Sequence, residues 1–182
     1  MILLIITAMA GLLLGGVFQI TKAPIAAKVL ADKKAAMKEL LPTADKFEAS
    51  DVKLEGNEKI SEVNVALVGT DVIGYTIKVA PNGYGGPVET MVGISNDGKV
   101  TGIKILALQE TPGLGANAPN PEFSDQYQNK PTKEKLEVVK IVPTKDNQIE
   151  AITGATITSA AITLGVNDAV DFYNSSLKGD KK

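Results

Sequence analysis

The stretch EAITGATITSAA, residues 150–161, gathers Thr153, Thr156, Thr158 and Ser159 around Gly154 where an apolar helical pattern begins. Hydroxyls at a helix start have two chemical uses. One is capping, in which a side-chain oxygen accepts a hydrogen bond from an orphan N–H of the first turn, worth about 1 kcal/mol. The other is anion binding, because the free N–H groups and the helix dipole both favour a phosphate and neighbouring hydroxyls complete its oxygen contacts. One threonine suffices for a cap; this stretch offers more. It is not a nucleotide P-loop, since no lysine follows the glycine and the glycine spacing is wrong.

Two other stretches suit a bound ligand. In PNGYGGPVETMVGI, residues 81–94, Gly83, Gly85 and Gly86 surround Tyr84, a pattern that permits close backbone approach by a flat molecule with the tyrosine ring stacked on it. A glycine-rich hairpin loop is the plainer interpretation. In QETPGLGANAPNPEF, residues 109–123, Thr111, Pro112, Gly113, Leu114 and Gly115 make a rigid-then-flexible loop after a strand, where binding residues are commonly displayed. Glu110 there either hydrogen-bonds a polar ring edge or ends the strand in solvent.

Composition removes many chemistries. The 182 residues carry 19 basic and 21 acidic side chains, and every basic one is lysine. Without arginine forks or a lysine-dense stretch interleaved with aromatics, nucleic acid is not an expected partner. There are no cysteines and no histidines, so disulfides, thiolate nucleophiles, iron–sulfur ligation, most zinc sites and the usual base of a serine or threonine hydrolase are all lacking. A threonine-nucleophile hydrolase is disfavoured further because Thr156 is not amino-terminal. No catalytic residue and no metal ligand is singled out. Any redox chemistry requires a borrowed cofactor.

The elements that must position these stretches follow from patterning. Residues 1–20, MILLIITAMAGLLLGGVFQI, carry no charge and would cover ~30 Å as a helix, about the thickness of a bilayer's hydrocarbon. They predict a retained transmembrane anchor; a secretory signal peptide would need a basic start and a clear cleavage site. Thr7, Gly11 and Gly15 share one face that another helix could approach closely, although such spacing also arises by chance in Gly-rich apolar segments. Lys22, Lys28, Lys33, Lys34 and Lys38 all follow the anchor, which by the positive-inside rule places the folded part in the cytoplasm, with only one flank to weigh. Residues 21–41 predict a juxtamembrane helix with Pro24 in its first turn and a partial stripe of Ile25, Val29, Ala36, Met37, Leu40 and Leu41 packing on the domain. PTADKFEAS then reads as a loop.

Between residues 60 and 142 the punctuation is that of strands. GYTIKVA alternates Tyr75, Ile77 and Val79 against Thr76 and Lys78, and VETMVGIS and VTGIKILAL flank NDGK, whose Asp97-Gly98 suits the positive φ angles of a tight hairpin. LEVVKIV and QIEAI predict further strands, separated by turn chemistry at 143–147. After Gly154, Ile157, Ala160, Ala161, Leu164, Ala169, Val170 and Phe172 suit a helix to about Tyr173. The sum is a membrane-anchored α+β domain with an antiparallel sheet and flanking helices.

Taken together and in order, GYGGPVETMVGI, ETPGLG and EAITGATITS behind one amino-terminal apolar helix resemble the FMN-binding G subunit of the Rnf electron-transport complex. The C subunit of the sodium-pumping NADH:quinone oxidoreductase shares the domain. The resemblance covers nearly the whole chain and divides it into a transmembrane helix (1–20), a juxtamembrane helix and linker (21–48) and a single FMN-binding domain (49–182). In that family a flavin transferase joins FMN through its phosphate to a hydroxyl in the motif acidic-x-x-Ser/Thr-Gly-Ala-Thr, matched here by Glu150, Ala151, Ile152, Thr153, Gly154, Ala155 and Thr156. The usual acidic residue is aspartate; here it is glutamate.

The resemblance therefore implies a covalent FMN phosphoester on Thr156, with Thr153, Gly154, Ala155, Thr158 and Ser159 around the phosphate. It implies that Glu110–Gly115 and Tyr84–Gly86 wall the flavin ring. It further implies a single-pass subunit of the cell membrane, its FMN domain extracytoplasmic, relaying electrons within an ion-translocating ferredoxin:NAD oxidoreductase and not catalytic alone. The implied partners are the other membrane and redox subunits of the complex, the membrane and the transferase. The alternatives are the equivalent quinone-reductase subunit and a non-redox anchored module binding some other anion.

Overall fold

A computed structural model of the chain describes residues 1–52, 54 and 59–178, and divides it into two compact units, Met1–Ala35 and a second beginning at Ala36. Helix α1 runs unbroken over Ile2–Leu40. The apolar anchor and the lysine-rich segment are thus halves of one 39-residue helix, and Pro24 lies inside it and not in a first turn. The Thr21 hydroxyl, bonded to the Val17 carbonyl at 2.9 Å, ties the turn just before that proline. One proline removes one intrahelical bond, which the Ala-, Lys- and Leu-rich flanks outweigh. An apolar window of α1, mean hydropathy 2.2, is long and apolar enough to cross a membrane.

The expected stripe splits along α1. Ile25 and Val29 are exposed, whereas Ala36, Met37, Leu40 and Leu41 are buried within the second unit.

That unit is built on a six-stranded antiparallel meander, β1–β2–β3–β4–β5–β6, with β1 at Lys46–Ala49, β2 at Ile60–Val68, β3 at Asp71–Val79, β4 at Glu89–Ser95, β5 at Lys99–Ala107 and β6 at Lys130–Pro131. Strand β1 falls where a loop was expected. It is a short edge strand with one large apolar residue, Phe47, which packs against the end of α1. A stretch with so little periodicity gives no signal of its own; pairing with β2 makes it a strand.

Both sheet faces are covered. Tyr75, Ile77 and Val79 join Val92, Ile94, Val100 and Ile103 in the main core under helix α3, Thr156–Phe172. The opposite face, which carries Thr76 and Lys78, is sealed by Met37, Leu40 and Leu41, and Thr76 is fully buried. Glycines in the strands admit this second layer: a Cβ on Gly93 would stand 2.9 Å from Leu40 Cβ.

The β4–β5 hairpin forms as expected with different turn chemistry. Gly98 alone takes a positive φ, 81°, and its N–H closes the turn to the Ser95 carbonyl at 3.0 Å, while the Asp97 carboxylate accepts the Ser95 hydroxyl. After β5 come Pro121–Ser124 (α2) and flanking 3-10 turns. LEVVKIV and QIEAI contribute β7, Glu137–Val139, and β8, Gln148–Glu150, which form a separate two-stranded parallel sheet and do not extend the antiparallel one.

Helix α3 begins where predicted, but its buried face is not the most apolar one. Ile157 and Leu164 are exposed, while Thr158, Ser159 and Thr163 are buried beside Ile162 and Val166. These inward hydroxyls find partners: Thr163 Oγ1 bonds the Ser159 carbonyl at 2.9 Å and meets the Tyr127 hydroxyl at 2.7 Å. Burial drives the Tyr127 phenol's pKa well above its ordinary value, and the Thr163 bond offsets part of that rise.

Candidate functional site

The three stretches meet. Tyr84, Glu110, Thr111, Leu114, Gly115, Gly154, Ala155, Thr156, Ile157 and Thr158 line one cleft of about 580 Å3. The Tyr84 loop precedes β4, the 110–115 turn follows β5, and α3 starts beside them, so adjacent strands of one hairpin deliver two walls and a helix N-terminus the third.

At the helix start, Gly154 takes φ +76°, a conformation that a side chain resists, and reverses the chain into α3. The N-cap is Ala155, and no side chain caps the helix. Capping therefore does not explain the hydroxyls. Among the described residues, the first-turn N–H groups are left to the cleft, and the half-buried Thr156 hydroxyl is bonded to nothing. The remaining hydroxyls divide. Ser159 is fully buried, accepts the Ile152 N–H and donates to the Ala155 carbonyl, both at 3.0 Å, so it stitches the strand end to the helix and does not face the cleft. Thr158 donates to Glu110 at 2.6 Å. Thr153 is exposed and lines a neighbouring groove with Gly113 and Leu114.

Glu110 is neither a solvated strand end nor a free acceptor for a ligand. Its second carboxylate oxygen accepts the Gly85 N–H at 3.0 Å, so both oxygens serve the protein. Gly85 and Gly86 shape the Tyr84 loop, where the Gly86 carbonyl accepts the Gly83 N–H at 2.8 Å; neither they nor Pro112 line the cleft. Tyr84 itself stands 72% exposed, with Leu114 and Ile157 also open to solvent, so the cleft has apolar, partly aromatic walls next to a polar helix end.

Two contributors lie outside the expected set. Ile157 read only as a helix residue, although its place directly after Thr156 was a usable sign. Gln126 clamps the backbone of Glu150, accepting its N–H at 2.7 Å and donating to its carbonyl at 3.3 Å; nothing local in the sequence marks it.

The FMN-binding domain family matches residues 83–171, a range that contains all three cleft segments. The chain is 40% identical to the G subunit of the Na(+)-translocating ferredoxin:NAD(+) oxidoreductase complex of Acetobacterium woodii, over 98% of this chain and 91% of that protein. It is 33% identical to the G subunit of the ion-translocating oxidoreductase complex of Methanosarcina acetivorans, over 95% of this chain and 92% of that one. The chain belongs to this G-subunit family. Among solved structures, the C subunit of the Na(+)-translocating NADH-quinone reductase from Parabacteroides distasonis superposes with a TM-score of 0.54 at 25% identity, covering 62% of this chain and 60% of that one. NqrC of Shewanella oneidensis, at 16% identity, a TM-score of 0.51 and coverage of 73% and 66%, shares the fold.

As a member of that family the chain carries an FMN-binding domain, and the cleft fits that cofactor on structural grounds. Its volume lies within the ~300–1,000 Å3 range of small-molecule sites. Its uncapped helix end suits a phosphate. Tyr84, Leu114 and Ile157 offer surface to a flat ring.

Proposed function

We propose that this chain is a membrane-anchored flavoprotein subunit that relays electrons through an FMN esterified to Thr156, within an ion-translocating ferredoxin:NAD oxidoreductase complex of the Rnf type. The observation that carries this reading is the unbonded Thr156 hydroxyl at an uncapped helix N-terminus, inside a cleft walled by the other two motif stretches. The higher identity and fuller coverage of the ferredoxin:NAD oxidoreductase relative favour that complex over the quinone reductase.

In maturation, Thr156 Oγ1 would serve as the nucleophile toward the phosphorus of a flavin dinucleotide held by a transferase. The Oγ1–P bond would form as the bond to the donor's nucleotide leaving group breaks, and the hydroxyl proton would pass to a base of the transferase. The N–H groups at the start of α3 and its dipole would stabilise the one negative charge that such a phosphodiester keeps. The Gly154 turn would border that phosphate, and Tyr84, Leu114 and Ile157 would hold the ring. Bound flavin supplies reversible one- and two-electron chemistry; the protein supplies attachment, orientation and partial exclusion of water. Other subunits of the complex would exchange the electrons. The FMN domain would lie on the extracytoplasmic side, as in the family that the motifs resemble.

Peptide mass spectrometry across residues 146–178 of full-length protein, coexpressed with a flavin transferase and then denatured, tests the site and the cofactor together. One FMN is expected on Thr156, retained by Thr156→Ser and lost in Thr156→Ala. A bare Thr156 in matured wild type, or flavin on another residue, refutes the reading.

A further inference from the structure

Glu110 faces inward and joins three separate segments. Its side chain is buried, 8% exposed. Oε1 accepts the Gly85 N–H, 25 residues away in sequence, and Oε2 accepts the Thr158 hydroxyl, 48 residues away. Both donors are neutral. One carboxylate thus ties the end of β5 to the Tyr84 loop on one side and to the first turn of α3 on the other. The surrounding glycines leave room for it: a Cβ on Gly115 would lie 2.6 Å from Oε2 and 2.5 Å from Thr158 Oγ1, and a Cβ on Gly83 would collide with Oε1.

We propose that Glu110 is a positioning residue for the cofactor. It sets the spacing between the Tyr84 wall and the Thr156 wall, and so holds the hydroxyl for esterification and the ring face for stacking. A burial of this kind is tolerated only when the carboxylate is hydrogen-bonded, and its two bonds are the links that matter. The purpose rests on the FMN reading of the same cleft; the staple is a property of the unloaded chain.

The chemistry of substitution separates the possibilities. Glutamine at 110 keeps the shape: its carbonyl oxygen accepts the Gly85 N–H, and its amide donates to Thr158 once that hydroxyl turns around. Alanine removes both links. Thr158→Val removes one.

Hydrogen–deuterium exchange of the full chain in detergent micelles, without flavin, reads the staple directly. Glu110→Ala is expected to speed exchange about tenfold in both 83–88 and 155–160 while leaving 89–107 near wild type, a local opening in the sense of sub-global unfolding. Glu110→Gln should stay near wild type throughout, and Thr158→Val should loosen 155–160 alone. On coexpression with the transferase, Glu110→Ala should lower the flavin-bearing fraction about fivefold, with Glu110→Gln restoring it, as expected when misplacement slows a positioned reaction.

The proposal is overturned by unchanged exchange in Glu110→Ala, by Glu110→Gln behaving like Glu110→Ala, or by loosening that spreads into 89–107. Should Glu110→Ala not fold, tight exchange at 155–160 in Thr158→Val, or flavinylation lost in Glu110→Gln, overturns it equally. Wild-type chain that acquires no flavin removes the FMN reading and the positioning purpose with it, whatever the exchange pattern; wild-type flavinylation that is unchanged in Glu110→Ala overturns the positioning role and leaves the FMN reading standing.

Discussion

In the proposed function, Thr156 and Tyr84 divide the work of the cleft at the level of single residues. Esterification of Thr156, as proposed above, would turn a neutral hydroxyl into a charged phosphodiester at a point where free N–H groups and a helix dipole meet it. Among the described residues Tyr84 makes no hydrogen bond that would explain its position, and it stands open to solvent in the lining of the cleft. A ring stacked on it gains about 0.5–1.5 kcal/mol beyond area burial. In flavinylated protein, Tyr84→Ala is therefore expected to leave the covalent link intact while raising flavin fluorescence, because an aromatic quencher is removed. Steady-state emission of the folded holoprotein against its denatured form checks this; equal quenching in wild type and variant would place the ring elsewhere.

At the scale of elements, the site depends on how the end of α1 and the whole of α3 sandwich the sheet. Met37, Leu40 and Leu41 seal one face, and the Lys104–Glu39 pair, at 2.6 Å, ties β5 to the same helix end. That layer approaches only because β4 carries glycine at 93. Gly93→Ala would press a methyl group against Leu40 Cβ and against Thr101 Oγ1, an overpacking that costs typically about 1–3 kcal/mol. Chemical denaturation should show the midpoint falling with the slope unchanged. A midpoint at or above that of wild type would mean that the helix end yields without cost. Because β4 and β5 hold the Tyr84 loop and the 110–115 turn at their ends, the same substitution is expected to act on stability first and on the cleft only through it.

For the whole molecule, the two units answer to different solvents. The first carries a run of exposed Leu, Ile, Met and Phe between Met1 and Ile20, and a window of it is long and apolar enough to span a bilayer. The second has a closed core with the sheet covered on both faces. Removing residues 1–35 is expected to move the protein from the membrane pellet to the soluble fraction with the circular dichroism of a folded α+β domain, whereas full-length chain resists alkaline carbonate extraction. A truncated protein that still sediments with membranes would show that the second unit has a membrane affinity of its own.

Local pattern alone determined a good deal of this protein. The uncharged run of residues 1–20, the alternation in β3, the hairpin between β4 and β5, the start of α3 and the three glycine- and threonine-bearing stretches were all legible, because periodicity and turn chemistry act over a few neighbouring residues. The choice of hydrogen-bond partner belongs to the tertiary structure. Thr156 and Ser159 lie three residues apart in one motif, yet one hydroxyl faces the cleft unbonded among the described residues and the other is consumed by Ile152 and Ala155. Glu110 reaches across 25 and 48 residues to its two donors, a distance over which sequence spacing carries no information. The parallel pairing of β7 with β8, the edge strand β1 and the inward turn of hydroxyls on α3 share the same cause. In each, packing and pairing with distant segments outweighed a local preference worth only a few tenths to a few kcal/mol.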